Sequence, residues 1–177
     1  MLSVGVNLAP REAPADSKWF AVHARSRHEV KAAAELERAG VTTFLPLVSE
    51  VHRWSDRHKL VEVPLFPCYL FVCIPWESRV RSVVQLASGV LGFVGTNGGT
   101  PVAEAEIEAI RTVIARKIPF TRCDLQKGQR VRVRGGMLAG IEGVLLSNPS
   151  QKRLLLAING INQTLSISVQ DCELDAA

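Results

Sequence analysis

Hydrophobic and polar positions along the chain follow two periods, and their order predicts the first elements. Residues 18–24 (KWFAVHA) alternate in the manner of a half-buried strand, whereas apolar residues recur at helical spacing over residues 28–39. Gly40 is placed to end this helix, and Ser26 with Glu29 forms a capping-box pattern at its start. The folded part of the chain is therefore expected to begin with a strand and a helix.

The segments that follow predict one mixed sheet. Residues 41–47 predict a strand broken by Pro46, and residues 49–63 predict a β-hairpin or an extended loop. Residues 65–74 (LFPCYLFVCI) are nearly all apolar, which is typical of a strand that is buried on both faces or that binds a partner with one of them. Further helices are predicted at residues 77–86 and 103–117. This order predicts an α+β domain in which an antiparallel sheet carries helices on one face.

The last part of the chain contains only short predicted strands. From residue 127 onwards, apolar and basic positions alternate between Gly-Gly, Asn-Pro-Ser and Asn-Gly turn signals. Strands are predicted at residues 130–134, 143–147, 153–158, 163–169 and 172–174. Evenly spaced short strands predict an all-β, SH3-like barrel. The predicted organisation is a disordered tail (1–16), an N-terminal domain (17–117), a linker (118–126) and a barrel (127–175).

Composition and charge narrow the function classes only slightly. An apolar fraction of 47% with 21% charged residues is that of an ordinary globular protein, and the net charge of +4 is compatible with a nucleic-acid partner. No apolar run reaches the roughly 20 residues of a membrane helix. The N-terminus also lacks the charge and hydrophobicity order of a signal peptide, so we expect a cytoplasmic protein.

The cysteines do not form a recognisable metal or disulfide pattern. They are Cys68, Cys73, Cys123 and Cys172. No two of them form a C-x-x-C pair, and no histidine completes the ligand spacing of a zinc site. We therefore expect free thiols, with neither a metal nor a cofactor.

The glycine-bearing strands of the last part resemble the KOW motif of NusG-type transcription factors and of several ribosomal proteins. The matching residues are Gly128, Val131, Val133, Gly136, Leu138, Gly140, Gly143 and Val144. Ahead of them, the segments WFAVHARSRHE, TTFLPLVSE, PLFPCYLFV and SGVLGFVG resemble, in that order, the NusG family of transcription elongation factors. The PLFPCYLFV run is similar to that of the specialised, RfaH-like antiterminators. The resemblance implies a NusG-type N-terminal domain followed by a KOW barrel.

The resemblance further implies a transcription elongation or antitermination factor without catalytic activity, whose N-terminal domain binds the clamp helices of the largest RNA polymerase subunit. The residues assigned to this contact are Phe66, Pro67, Tyr69, Phe71, His23 and Trp54. The residues expected to face the helices of the domain itself are Leu70, Val72 and Ile74. On the opposite face, Tyr69, Phe71 and Cys73 would form an exposed apolar patch. The alternative is that the hairpin or the barrel covers these side chains.

Basic residues cluster near the first strand-to-helix turn. They are Arg25, Arg27, His28, Lys31 and Arg38. The resemblance implies contact with the non-template DNA strand, for which a helix N-terminus with arginines is suited. Because glutamates lie among these charges, a solvent-exposed helix face without DNA is an equally open alternative. Near the second helix, the resemblance implies a second polymerase contact at the position of Ser78, Arg79 and Arg81, which would oppose clamp opening and so suppress pausing.

The KOW barrel is expected to recruit a small-subunit ribosomal protein or the termination factor Rho. Its β-branched strands and Asn-Gly turn favour the barrel, although residues 154–157 (LLLA) also suit the helical C-terminal domain of some specialised members. Two other hypotheses stay open, namely a KOW-bearing ribosome-associated or RNA-binding protein, and an enzyme that uses Cys68 or Cys73 with a histidine. We expect a monomer.

Overall fold

The computed structural model describes residues 16–53, 58–118, 120–123, 129–133, 142–148, 151–157, 161, 164–168 and 174–176. A first antiparallel sheet is built from β1 (Lys18–Ala24), β2 (Thr42–Phe44), β5 (Tyr69–Ile74), β6 (Val90–Phe93) and β7 (Pro101–Val102). The strand order is β2–β5–β1–β6, and β7 also pairs with β1. Because β1 and β5 occupy the centre, two strands with mostly buried side chains lie side by side.

The charged segment after β2 is a β-hairpin, which confirms one of its two interpretations. Strand β3 (Leu47–Arg53) pairs with β4 (His58–Pro64) from Leu47 opposite Pro64 to Arg53 opposite His58. This hairpin is a separate two-stranded sheet. Trp54, which was assigned to polymerase contact, lies outside the described residues.

Helices cover both faces of the first sheet. They are α1 (Glu29–Arg38), α2 (Ser78–Leu86) and α3 (Glu104–Ala115). On one face, α1 and α2 pack on alternate residues of β1 and on Leu70, Val72 and Ile74 of β5. This confirms the predicted direction of these three side chains. Burying each large apolar side chain contributes about 1.5–3 kcal/mol to the free energy of unfolding.

The other face of the sheet is covered by α3, so the prediction of helices on one face only is wrong. Ile107, Ile110 and Val113 of α3 pack in one buried cluster with Phe71 and Cys73 of β5. The predicted exposure of Phe71 and Cys73 is therefore also wrong. The alternative named the hairpin or the barrel as the cover, and both contribute beside α3, since Val48 of the hairpin packs against this cluster and Ile161, Leu165 and Ile167 of the C-terminal part belong to it. The apolar stripe of α3 is visible in the sequence, but such a stripe does not show which face of the sheet the helix covers.

The two ends of α1 differ in how well the sequence predicts them. The C-terminal end of α1 is confirmed. Gly40 has φ +84° and its N–H donates to the Glu37 carbonyl, while Val41 N–H donates to the Leu36 carbonyl. This is the Schellman pattern. The predicted capping box is wrong, because the N-cap residue is His28 and no side chain caps the helix.

The C-terminal part of the chain forms a second antiparallel sheet. Its strands are β8 (Phe120–Cys123), β9 (Gln129–Val133), β10 (Glu142–Asn148), β11 (Gln151–Ala157), β12 (Thr164–Ser168) and β13 (Leu174–Ala176). The order is β13–β9–β10–β11–β12–β8. In β12, Leu165 and Ile167 are both buried, as a two-residue period requires.

The second sheet agrees with the predicted all-β character, and closure into an SH3-like barrel stays a prediction. Residues 154–157 lie in β11 and are not helical. The predicted linker, 118–126, contains β8, which pairs with β12 of the second sheet. The domain boundaries stay predictions. None of the helices in the described ranges is long and apolar enough to cross a membrane.

Candidate protein-docking surface

Two aromatic side chains stand together on the α3 side of the sheet, next to its buried part. His23 of β1 lies opposite Tyr69 of β5, with ring centroids 5.2 Å apart and an interplanar angle of 26°. Both side chains are half-buried. On the other side of His23 the opposing residue is Gly92 of β6, where an added Cβ would meet no heavy atom within 4 Å. We call Tyr69, His23 and Gly92 the aromatic row; it combines stacked rings with adjacent open space.

A tight turn of Phe66, Pro67, Cys68 and Tyr69 leads into the aromatic row. Tyr69 N–H donates to the carbonyl oxygen of Phe66 at 3.1 Å, and Cys68 has φ +68°. Proline at the second position and a left-handed residue at the third are the arrangement of a type II turn. Pro67 is exposed at its tip. We call these four residues the docking turn.

The left-handed conformation of Cys68 is offset by a hydrogen bond from α1. A residue with a Cβ in this region costs about 1–2 kcal/mol. The Cys68 N–H donates to Glu29 Oε1 at 2.9 Å. Because this carboxylate is buried, a hydrogen bond to it contributes about 1.5–3 kcal/mol, which is enough to stabilise the turn.

Phe66 and Phe71 belong to the buried core beneath this surface and are not exposed themselves. Both are fully buried, and their rings meet edge to face at 6.1 Å. Phe71 also stacks with Phe44, with ring centroids 6.0 Å apart. Of the aromatic and proline residues assigned to polymerase contact, the described ones that reach the surface are therefore Pro67, Tyr69 and His23.

The first part of the basic cluster, Arg25 to His28, lies beside the docking turn. Arg25, Arg27, Lys31 and Arg38 are exposed, and His28 is half-buried. The backbone ties this cluster to its neighbours, since Ala24 N–H donates to the Cys68 carbonyl at 2.8 Å and Arg25 N–H donates to the Gly89 carbonyl at 2.7 Å. Residues 24–28, the docking turn and the turn before β6 thus meet at one end of the sheet.

The glutamates of α1 are engaged with other groups rather than with these arginines. Glu29 accepts from Cys68, and Glu35 accepts from Ser88 N–H at 3.1 Å. Glu37 accepts from the Thr43 hydroxyl at 2.7 Å. Each bond uses one carboxylate oxygen and leaves the charge in place, so the alternative of a solvent-exposed helix face without DNA stays open.

The second group of predicted contact residues lies at the opposite end of β5, roughly 20 Å away along a six-residue strand. Ser78 and Arg79 are exposed at the start of α2. Arg81 differs, because its guanidinium lies over the Trp76 ring at 4.1 Å from the centroid. The structure therefore brings Arg25–His28 to the docking turn but keeps the α2 residues apart from it.

Comparison with protein families identifies this arrangement. The family model described as "Transcription termination factor nusG" matches residues 17–111, which is more than half of the chain. The chain belongs to the NusG family. The match contains the first sheet, α1, α2 and the first two turns of α3, together with the docking turn and the basic cluster.

Relatives of the NusG family align with most of the chain. The transcription termination/antitermination protein NusG of Lactococcus lactis subsp. lactis is 26% identical over 167 residues, which are 87% of this chain and 85% of that protein. The Chlamydia pneumoniae protein of the same name is 28% identical over 141 residues, 72% of this chain and 76% of its own. The solved structure described as "Domain interaction in Thermotoga maritima NusG" has a TM-score of 0.51 at 22% identity and covers 90% of this chain and 97% of that chain. The structural likeness supports the fold.

The KOW residues of this NusG-family chain are only partly described. Val131 and Val133 lie in β9 and Gly143 lies in β10, where Gly143 pairs with Val131. Gly128, Gly136, Leu138 and Gly140 lie outside the described residues. The KOW motif and the RfaH-like branch stay predictions.

The chemistry of Cys73 does not favour the enzyme hypothesis. Burial raises the pKa of the Cys73 thiol above its ordinary value of 9.0, the nearby carboxylate of Glu104 raises it further, and Arg111 acts in the opposite direction. A nucleophilic cysteine needs a lowered pKa, because the thiolate is the reactive form. A raised pKa keeps the Cys73 thiol in its protonated form at neutral pH, which is opposite to what a nucleophile requires.

Sequence reasoning missed two contributors to the docking surface. Glu29 was assigned to a capping box, and Gly92 received no role. For Gly92, only its pairing with His23 shows that its missing side chain leaves space beside the ring. For the docking turn, a signal was present in the Phe-Pro-Cys-Tyr run, since proline favours the second position of such turns.

Proposed function

We propose that this protein is a non-catalytic transcription elongation or antitermination factor that binds RNA polymerase through its N-terminal domain. Family membership carries the proposal, and the names of the relatives agree with it. The partner surface would be the clamp helices of the largest polymerase subunit, with both proteins in the cytoplasm. Binding would suppress pausing or termination.

The polymerase contact is assigned to Pro67, Tyr69 and His23, with Phe66 and Phe71 as their support. Aromatic side chains on a rigid, well-packed base are typical of the residues that contribute most to protein interfaces. Here the base is the buried α3 face of the sheet, and the docking turn is fixed by backbone hydrogen bonds. A helix of the partner would lie across the aromatic row and fill the space beside Gly92.

The basic cluster is assigned to the non-template DNA strand. Arg25, Arg27 and Lys31 project beside the docking turn, so a protein bound to polymerase would present them near the transcription bubble. Because such contacts release counterions, their contribution should weaken as salt rises. His28 and Arg38 would lie at the margin of this contact.

A second polymerase contact is assigned to Ser78 and Arg79 at the far end of β5. Contacts at both ends of one rigid sheet would bridge two parts of the polymerase cleft and oppose its opening. Arg81 would act here through its packing on Trp76. The C-terminal sheet, as a KOW barrel, would recruit a small-subunit ribosomal protein or Rho.

The docking assignment is tested by the affinity of the purified full-length protein for core RNA polymerase. We expect Tyr69→Ala to weaken binding about tenfold or more, since a central aromatic contact contributes about 2 kcal/mol or more. The matched control is Leu86→Ala on α2, which removes a side chain that is 84% exposed and lies outside the proposed surface. Full binding by Tyr69→Ala would contradict the docking assignment, and co-sedimentation with ribosomes instead of polymerase would favour the ribosome-associated alternative.

A further inference from the structure

Glu29 is a charged side chain in an unusual place, since only 4% of its surface is exposed. It occupies the first position of α1, where the positive end of the helix dipole favours a carboxylate. That position alone does not require burial, because an exposed glutamate would interact with the dipole as well. The reason for burial is the carboxylate's partner, the backbone N–H of Cys68.

The Cys68 N–H is available to Glu29 because of the turn type. In the docking turn, the internal hydrogen bond runs from Tyr69 N–H to the Phe66 carbonyl and leaves Cys68 N–H unused. A buried N–H without an acceptor would oppose the turn. Glu29 Oε1 supplies that acceptor at 2.9 Å, so the carboxylate favours the left-handed conformation over others that Cys68 would adopt more readily.

Both backbone polar groups of Cys68 are held by the same short segment. Its carbonyl accepts from Ala24 N–H at the end of β1, and its N–H donates to Glu29 at the start of α1. The basic residues Arg25 and Arg27 lie between these two attachment points. The docking turn and residues 24–29, which include Arg25 and Arg27, are thus one hydrogen-bonded unit.

We propose that Glu29 is a positioning residue that fixes the docking turn, and with it Pro67 and Tyr69, relative to the basic cluster. This inference rests on the proposed docking function. Glu29 itself contacts neither polymerase nor DNA. Its effect on binding passes through the Cys68 N–H, and it depends on an acceptor oxygen at this position rather than on the negative charge.

The first test compares polymerase affinities of full-length variants. Glu29→Leu removes the acceptor at similar size, and we expect affinity to fall about tenfold, because the Cys68 N–H is left without an acceptor. Glu29→Gln keeps a carbonyl oxygen that can accept, so its affinity should stay within about threefold of the parent. The matched control is Glu37→Leu, which removes another α1 glutamate whose carboxylate accepts a hydrogen bond, from the Thr43 hydroxyl of β2 at 2.7 Å. It should bind as the parent does.

A rescue variant separates positioning from general damage. Asparagine tolerates the left-handed conformation far better than cysteine does. In the Glu29→Leu background, Cys68→Asn should therefore recover a substantial part of the lost affinity. No recovery would contradict the idea that Glu29 acts through the conformation of Cys68.

Hydrogen–deuterium exchange on the free protein provides a readout that does not involve polymerase. In Glu29→Leu, exchange should accelerate in peptides that contain Cys68 and Tyr69 and stay unchanged in α2 and in the β3–β4 hairpin. Equal acceleration everywhere would assign Glu29 to general stability and overturn the proposal. Loss of affinity in Glu29→Gln equal to that in Glu29→Leu would overturn the role of the acceptor oxygen.

The two hypotheses fail in different ways. If Tyr69→Ala binds polymerase fully while Glu29→Leu loosens the docking turn, the docking surface is wrong and the effect of Glu29 on the turn stands. If Tyr69→Ala loses affinity while Glu29→Leu binds and exchanges like the parent, the docking surface stands and Glu29 is not a positioning residue.

Discussion

Two aromatic groups lie at opposite ends of the central strands, and they differ in how their rings are used. At one end, Tyr69 and His23 stack as a pair next to the space at Gly92. At the other end, the Trp76 ring lies between Phe20, stacked at 4.2 Å, and the Arg81 guanidinium at 4.1 Å. Trp76 is 40% exposed, yet both of its faces are occupied. Exposed area alone therefore does not identify a docking surface; the free face of a ring beside open space does.

The difference follows from what packs on each group. The ring of Phe93 meets the edge of Trp76 at 5.4 Å, and the glycines that precede β7 allow the chain to pass against the indole. In the aromatic row, by contrast, His23 and Tyr69 are only half-buried, although Tyr69 packs at the edge of the buried cluster that contains α3 residues and Ile161, Leu165 and Ile167. We infer that the Trp76 group stabilises the fold, whereas the aromatic row contributes little to stability and is available for a partner.

Of the substitutions that distinguish the two aromatic groups, Phe20→Ala should lower the free energy of unfolding most. Phe20 is 2% exposed and stacks on Trp76, so its truncation should lower the free energy of unfolding by about 3–5 kcal/mol. Tyr69→Ala, at the other group, should lower it by about 1 kcal/mol, since the ring is only partly buried. Urea denaturation of both variants measures the difference. Equal losses would remove the distinction between a stabilising group and a docking group.

Much of the fold on which this comparison depends could be predicted from local patterns. The alternation in β1, the helical spacing in α1 and the apolar run of β5 each lie within one segment, so their periods are visible in the sequence. The Schellman end at Gly40 was likewise encoded in its immediate neighbours. Family resemblance then placed these elements in the correct order.

The features that position the site depend on contacts between distant segments. Phe71 was predicted to be exposed because the strand alone does not show that α3 returns to cover it. Glu29 matches a capping box by spacing, and only the path of the chain brings it to Cys68, 39 residues away in sequence. The local pattern and the distant partner compete for the same carboxylate, and the distant one prevails.

Gly99→Ala, next to the Trp76 ring, should cause the next largest loss in the free energy of unfolding. An added Cβ would lie 2.6 Å from the Trp76 ring and 3.3 Å from the Phe93 Cβ, and the backbone has φ +156°. Overpacking and backbone strain together should lower the free energy of unfolding by about 2–4 kcal/mol. Gly40→Ala is the matched control, because its φ is +84° but no atom lies within 4 Å of the new Cβ. It should cost about 1–2 kcal/mol, from strain alone.

Thermal or urea unfolding of the two glycine variants separates contact from strain. A greater loss in Gly99→Ala than in Gly40→Ala indicates that the Trp76 group is tightly packed and leaves no room for a partner. A loss no greater than that of the control would mean that the indole moves easily, and Trp76 would then become a second candidate for a docking contact.

Arg81→Met should change the free energy of unfolding least. It tests whether the Arg81 guanidinium covers one face of the Trp76 ring. A cation–π contact at a partly exposed site contributes about 0.5–1 kcal/mol, and methionine keeps the length of the side chain without the charge. The control is Arg79→Met, which removes an exposed arginine from the same helix turn and should leave the free energy of unfolding unchanged. Tryptophan fluorescence provides a second measurement, because removal of the guanidinium should change the emission of Trp76 in the folded state. If Arg79→Met and Arg81→Met have equal stabilities and equal emission spectra, the Arg81 contact does not close the ring face, and both ends of the sheet present an available aromatic surface.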